Sequence, residues 1–138
     1  MWSPYHHTIT YDEERIGQND GKLALLHEIA HARLGHRIYK YDIQLITMEM
    51  DAWDMTRQLA LQFELTIDEE HIAHCIETYD EWLTKRATCP DCGNFSLQRG
   101  RDSYSCFACG AQWEVNWRKD RRVKRTVISR MAHRHPQD

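Results

Sequence analysis

Apolar residues in the first half of the chain recur at the three- and four-residue spacing of helices. Residues 22–34 are apolar on most sides and are followed by Gly35, which predicts a helix that crosses the interior of a domain. A second helix is predicted over residues 43–65, where one stripe is apolar and the opposite stripe is polar. Glu49 is the one charged residue on the apolar stripe, so we expect its carboxylate to be buried.

Two further elements follow from shorter patterns in the same part of the chain. The alternation of residues 7–11, HTITY, predicts a strand. Thr66 and Glu69 resemble a capping box that opens a third helix, which is predicted to end near Lys85.

Charge divides the chain close to the end of the third predicted helix. Residues 1–88 carry 16 acidic and 8 basic side chains, whereas residues 89–138 carry 5 acidic and 10 basic side chains. We therefore expect two small domains, over residues 1–87 and 88–138. The predicted fold class is α+β, with short edge strands and about three helices in the first domain and a small β domain with a basic tail in the second.

Four of the five cysteines form two C-x-x-C-G segments, CPDCG and CFACG, with thirteen residues between the two pairs. Four thiolates on two tight turns make a closed tetrahedral site, which predicts a zinc ribbon with a structural zinc ion. The predicted ligands are Cys89, Cys92, Cys106 and Cys109. A rubredoxin-like iron site, which uses similar turns and usually a wider gap, is the alternative. Cys75 is expected to be a buried packing residue.

The residues around the cysteines have the pattern of a small sheet. The segment FSLQRGRDSYS predicts a hairpin around Gly100. The alternating segment QWEVNW predicts a third strand, with Trp113, Val115 and Trp117 on one face.

The first helix contains the motif H-E-x-x-H, at His27, Glu28 and His31. Positions four apart share a helix face, so both imidazoles can point at one metal ion while Glu28 projects toward a water molecule bound there. The metal would lower the pKa of this water toward ~7, and the glutamate would accept its proton. Two core histidines with satisfied hydrogen bonds are the alternative.

A catalytic zinc ion needs a third protein ligand. His36 is the nearest candidate, but the metzincin pattern requires glycine at position 34 and histidine at 37, where this chain has Leu34 and Arg37. Glu49 is the better candidate, because a carboxylate in an apolar stripe needs a partner and a cation supplies one. A glutamate that is hydrogen-bonded at a helix crossing remains the alternative, and Asp51 is a rival carboxylate among polar residues.

The segment HEIAHARLGH, followed by MEMDAWDMTRQLAL, resembles the ImmA/IrrE-type minimal gluzincins over roughly residues 5–65. The resemblance implies a zincin-like fold and zinc-dependent endopeptidase activity. It implies His27, His31 and Glu49 as zinc ligands and Glu28 as the general base.

The same resemblance implies that the strand over residues 7–11 is an edge strand above the site, where a substrate peptide adds as a further strand. Two residues depart from the family's pattern. Asp51 stands where glutamate is usual, and Trp53 stands where a small polar or acidic residue often follows the alanine.

Beyond the ribbon, residues 118–134 contain eight Lys or Arg residues and one acid, Asp120. Such a run suits phosphate groups, with Trp113 and Trp117 available to stack on bases, which indicates nucleic acid as a partner. A solvated tail and a tail that docks onto the acidic first domain are the alternatives. The expected contact residues are Arg118, Lys119, Arg121, Arg122, Lys124 and Arg125.

These patterns together predict a zinc endopeptidase with two zinc ions per chain, acting on a protein or peptide substrate and, by resemblance, on a regulatory protein. A SprT/Spartan-like protease that acts on DNA-bound proteins is one alternative, although its third ligand is typically a histidine well beyond the motif. The next histidine after His36 is His71, on a different predicted helix. A non-catalytic zinc-ribbon adaptor or DNA-binding protein is the other alternative, and the intact Glu28 argues against it.

Neither a membrane span nor a secretion signal is expected from the sequence. No window contains eighteen consecutive apolar residues, and the start lacks a charged segment followed by an apolar one. The expected compartment is therefore the cytoplasm, where two C-x-x-C pairs are more often metal ligands than disulfides.

Overall fold

The computed structural model describes residues 1–119 and 121–130, which form an α+β architecture of three helices and two small antiparallel sheets. The helices are α1 (Asn19–Arg33), α2 (Asp42–Gln62) and α3 (Glu69–Ala87), with a short 3-10 helix at Arg15–Gly17. The strands are β1 (Trp2–Ser3), β2 (Thr8–Ile9), β3 (Leu97–Gly100), β4 (Ser103–Ser105), β5 (Gln112–Val115) and β6 (Arg125–Ser129). Among these residues no helix is long and apolar enough to cross a membrane.

The chain divides into two compact units. The first comprises Met1–Tyr39 with Ile43–Glu77, and the second comprises Lys40–Asp42 with the described residues from Thr78 onward. The boundary between residues 87 and 88 stays a prediction about domains that fold independently.

The core of the first unit lies between α1 and α2. Ala30 of α1 and Ala52 of α2 are completely buried in it, so the facing side chains are small and the two helices can approach closely. Larger side chains complete this core, namely Leu23, Leu26 and Leu59.

The C-terminal end of α2 differs from the sequence-based prediction. α2 ends at Gln62 because Glu64 adopts a left-handed conformation (φ 54°) and the Leu65 amide donates to the Ala60 carbonyl at 2.9 Å. Phe63, which lies within the predicted helix of residues 43–65, is therefore exposed beyond the observed helix end.

The capping box predicted for α3 at Thr66 is wrong. α3 begins at Glu69, and the carboxylate of Asp68 accepts a hydrogen bond from the His71 amide at 3.1 Å, as an N-cap does. Glu69 instead forms two hydrogen bonds with Arg57, each at 2.9 Å.

A four-stranded antiparallel sheet in the order β3-β4-β5-β6 forms the C-terminal strand region, which fits a ribbon. The hairpin predicted around Gly100 is present, with Gln98 opposite Tyr104. Trp113 and Val115 are buried on one face of β5. Trp117, predicted on the same face, lies beyond the end of β5 and is 63% exposed.

Strand β6 is not among the predicted elements, because the charge pattern indicates a basic tail over its residues. It pairs with β5, with Val115 opposite Arg125 and Trp113 opposite Val127. The β-branched residues of RTVIS are a strand signal, but the charged residues around them favoured a tail. Residues 131–134 of the predicted tail lie outside the described residues.

The buried guanidinium of Arg86 organises the second unit. Its Nη1 and Nη2 atoms donate to the carbonyls of Asn116 and Arg101, each at 3.0 Å. It also lies 3.7 Å from a carboxylate oxygen of Asp42 and 3.6 Å from one of Asp102, and it is 1% exposed. A buried arginine is tolerated because its donors are paired in this way.

Candidate metal centres

His27 and His31 lie one turn apart on the same face of α1 because they are four residues apart. Their Nε2 atoms are 3.1 Å apart, and the two rings meet edge to face with centroids at 4.5 Å. Both residues are buried. The two imidazoles thus point toward one position, as the spacing of the motif predicts.

Glu49 of α2 brings a carboxylate to the same position. Its Oε2 lies 3.0 Å from Nε2 of His27, and its Oε1 lies 3.2 Å from Nε2 of His31. The candidate ligand atoms of the three residues are all within 4.8 Å of one another. Glu49 is 6% exposed, whereas the rival carboxylate of Asp51 is exposed. This group of two nitrogens and one carboxylate can bind a metal ion.

The carboxylate of Glu49 is ionised in this arrangement. Burial acts to raise its pKa, but the hydrogen bonds with His27 and His31 and the charges on those rings outweigh burial. The pKa is lowered from 4.5 to about 2. A buried negative charge beside two nitrogen ligands suits a divalent cation.

The hydrogen bonds of the two imidazoles fit a metal ion. Nδ1 of His31 lies 2.8 Å from Nδ1 of His36, and Nδ1 of His27 is buried without a hydrogen-bond partner among the described residues. A metal ion at this position would take the Nε2 lone pair of each neutral ring, with the ring proton on Nδ1, in place of the hydrogen bonds to Glu49. Two imidazole nitrogens and one carboxylate are a donor set for a divalent cation, so the residues present fit a metal.

The end of α1 places His36 beside His31. Gly35 has a φ of 69°, its amide donates to the Ala32 carbonyl at 3.1 Å, and the His36 amide donates to the His31 carbonyl at 3.0 Å. This is a Schellman motif, which favours glycine at the left-handed position. Burial, and then the neighbouring His31, lower the pKa of His36, so its neutral ring can accept the Nδ1 proton of His31.

The register of the metzincin pattern argues against His36 as a third metal ligand. In the structure, the ring of His36 lies against Nδ1 of His31, the nitrogen that does not face the metal position. There it can orient the ring of His31 by a hydrogen bond without binding the metal itself. The signal for this role was Gly35, because a glycine-terminated helix turns the next residue back toward the last turn.

Glu28 lies next to His27 in α1, with its side chain 26% exposed. Its Oε2 accepts a hydrogen bond from the backbone N–H of Trp2 in β1 at 2.5 Å. The indole Nε1 of Trp2 donates to the His36 carbonyl at 3.0 Å. Hydrogen bonds from Trp2 thus connect β1 both to Glu28 in α1 and to His36 just beyond the end of α1. The strand predicted at residues 7–11 corresponds to β2, which pairs with β1.

The four ribbon cysteines also form a group that can bind a metal ion. The sulfurs of Cys89 and Cys109 are 3.5 Å apart, as are those of Cys92 and Cys106, and all four lie within 4.8 Å of one another. A tetrahedral zinc site with Zn–S bonds of about 2.3 Å has sulfur separations of roughly 3.8 Å. The sulfurs therefore need only small shifts to surround a zinc ion.

Each of the two C-x-x-C-G segments forms a tight turn that ends in a glycine with a positive φ. Gly93 and Gly110 have φ values of 77° and 79°, and their amides donate to the carbonyls of Cys89 and Cys106. Amide hydrogen bonds, the largest from the backbone of Cys109, lower the pKa of the Cys106 thiol to about 6.

The Cys109 thiol has the opposite shift. A hydrogen bond from the Ala111 amide acts to lower its pKa, but burial and the three other sulfurs of the cluster raise it to about 12. Four crowded thiols therefore do not all ionise alone, and a bound cation would remove this repulsion.

The six predicted basic contact residues all lie in the second unit. Four of them line one cavity, namely Lys119, Arg121, Arg122 and Arg125. Arg118 and Lys124 are exposed and do not line it.

Cys75 and the two histidines of α3 are not among the residues of either metal-binding group. Cys75 is half-buried, with its sulfur 3.6 Å from Nε2 of His71. His71 is half-buried beside Trp53, and His74 is exposed.

Comparison of the chain with models of known protein families, with curated proteins and with solved structures finds no match.

Proposed function

We propose that this chain is a zinc-dependent endopeptidase, with a first unit of the minimal gluzincin type that the ImmA/IrrE resemblance implies. The observation that carries the proposal is the convergence of Nε2 of His27, Nε2 of His31 and the ionised carboxylate of Glu49 on one buried position. Two imidazoles and one glutamate are the protein ligands of known catalytic zinc sites, which leave a further position for water or substrate.

The residues around this position support a division of labour. A zinc ion held by the three ligands would supply Lewis-acid activation of a water molecule and of a peptide carbonyl. Glu28 would accept the proton of the water at its carboxylate and later pass it to the leaving amine. The Trp2 amide, at 2.5 Å from Oε2, holds the Glu28 side chain for this task.

The ribbon would hold the second zinc ion of the chain. Four sulfur ligands would fill the coordination of a zinc ion and leave no position for substrate, so this ion would be structural. We propose that the ribbon unit contributes to recognition of the substrate and the first unit to its hydrolysis. The substrate class is protein.

The test compares the zinc-loaded full chain with Glu28→Gln and with the control Glu13→Gln, which changes an exposed glutamate outside the site. Each protein is incubated with a peptide library prepared from a whole proteome, and new termini are identified by mass spectrometry. We expect cleavage by the wild type and by Glu13→Gln. We expect at least a 100-fold slower cleavage by Glu28→Gln, because proton transfer typically contributes 10²–10⁴-fold.

Zinc content separates loss of the base from loss of the site. Because Glu28 is not a ligand in this proposal, the Glu28→Gln protein should keep both zinc ions. A zinc-loaded wild type that produces no new termini, or a Glu28→Gln protein that cleaves at the wild-type rate, would overturn the proposal.

A further inference from the structure

A basic cleft lies within the second unit, between the C-terminal half of α3 and residues 119, 121–123 and 125. Its volume is about 510 Å³. Of the described residues, five with cationic side chains and one with a carboxylate line it, namely Lys85, Lys119, Arg121, Arg122, Arg125 and Glu81. Lys85 comes from α3, so a residue outside the predicted basic tail is part of the cleft.

Three of these cations have no neutralising partner among the residues that the structure describes. The side chains of Lys85, Arg121 and Arg122 form neither a hydrogen bond nor an ion pair with any residue that the structure describes. Like charges that are collected in one concavity repel one another, and a bound anion removes that repulsion. The cleft is therefore suited to a ligand with several negative charges.

Two other cations are held at the wall of the cleft by protein contacts. The ammonium of Lys119 lies 3.2 Å from the centroid of the Tyr79 ring, and Nη1 of Arg125 donates to the Thr88 carbonyl at 2.6 Å. These contacts hold two of the positive charges in place before a ligand arrives, which lowers the entropy lost on binding.

We propose that this cleft binds the phosphate backbone of a single-stranded nucleic acid. A volume of 510 Å³ corresponds to a width of roughly 8 Å, whereas a duplex is broader than its ~12 Å major groove alone, so a double helix does not enter. Trp117, two residues before Lys119 in the chain, has a side chain that is 63% exposed. An exposed indole within about 7 Å of chain length from a basic cleft can stack on an unpaired base.

This proposal is independent of the peptidase activity and uses none of the residues of either metal-binding group. It extends the sequence-based expectation of a nucleic-acid-binding tail by adding Lys85 of α3 to the contact residues. A solvated basic tail would bind polyanions without Lys85, whereas the cleft requires it. Lys124, which is exposed and does not line the cleft, provides a control of the same chemical type.

The test measures fluorescence anisotropy of a labelled 12-nucleotide oligothymidylate with the zinc-loaded full chain between 25 and 200 mM salt (roughly the range over which phosphate contacts are screened). We expect the logarithm of the affinity to fall with the logarithm of salt with a slope of about 2 to 3, because each neutralised phosphate contributes about 0.7. Lys85→Ser and Arg122→Ser should each lower that slope by about 0.7 and weaken binding several-fold. Lys124→Ser should match the wild type.

Base stacking is tested separately with Trp117. Trp117→Ala should weaken oligothymidylate binding about tenfold, and Trp117→Phe should retain most of the affinity, because both aromatic rings stack on a base. Circular dichroism and zinc content of every variant establish that the fold is retained.

The same binding assay also tests two alternative ligands, a duplex and an acidic peptide. A 12-base-pair duplex and a 12-residue polyglutamate serve as competitors, and both should compete at least tenfold less well than the single strand. Equal competition by the duplex, stronger competition by polyglutamate, wild-type binding by Lys85→Ser, or no binding at 25 mM salt would each overturn the proposal.

Discussion

The imidazole of His27 lies against the indole of Trp53, with the ring centroids 3.9 Å apart and the ring planes 22° apart. This stacking holds a ring whose Nδ1 is buried without a hydrogen-bond partner among the described residues. Metal-binding histidines usually donate this proton to an oxygen acceptor, which fixes the ring. In this chain the indole of Trp53 orients the His27 ring instead. Trp53 stands at the position where the resemblance leads us to expect a small polar or acidic residue.

Replacement of Trp53 should therefore weaken metal binding through His27. Trp53→Phe keeps an aromatic surface and should change the zinc affinity of the first unit by less than about threefold. Trp53→Leu removes the stacked ring and should weaken it by about tenfold, the lower end of effects from residues that support metal ligands. Chelator competition with zinc measures both variants, and equal affinities for the two would contradict the role given to the indole.

His36→Ala should also weaken zinc binding by about tenfold, because His31 would lose the acceptor that orients its ring. Arg37→Ala is the control, since Arg37 is the exposed neighbour of His36. The same competition assay applies, with urea unfolding of both proteins as a check on stability. If His36→Ala binds zinc as tightly as Arg37→Ala, the imidazole of His36 does not position His31.

Removal of the buried guanidinium should destabilise the second unit. Arg86→Met leaves the carboxylates of Asp42 and Asp102 without the cation beside them, and we expect the free energy of unfolding to fall by about 3 kcal/mol. Lys85→Met, which changes the exposed neighbour on α3, should cost less than about 0.5 kcal/mol. Urea unfolding of the zinc-loaded chain gives both values, and similar stabilities of the two variants would show that the buried network adds little.

The parts of the site that follow from helix periodicity could be predicted from the sequence. His27 and His31 share a face because four residues separate them, and Glu49 was identified as the charged residue on an apolar stripe. The spacing of the two C-x-x-C-G segments likewise predicted a cluster of four sulfurs. Each of these inferences depends on local geometry, which is determined by the spacing of residues along the sequence.

Features that depend on tertiary contacts could not be predicted in the same way. Strand β6 forms because β5 offers a free edge, and its flanking charges concealed a β-branched segment. The partners of Arg86 come from three separate parts of the chain. The Trp2 contact with Glu28 joins residues 26 positions apart, which no periodic pattern indicates.

The central claim is that His27, His31 and Glu49 hold a metal ion, and the zinc content of the purified full chain tests it most directly. Mass spectrometry of the metal should be combined with X-ray absorption, which distinguishes nitrogen and oxygen from sulfur ligands. Glu49→Ala removes a proposed ligand, and Asp51→Ala changes an exposed carboxylate two residues away. We predict two zinc ions in the wild type and in Asp51→Ala, and one, bound by sulfur alone, in Glu49→Ala. A wild-type chain that holds a single zinc ion with four sulfur ligands, even with zinc in excess, would contradict the account.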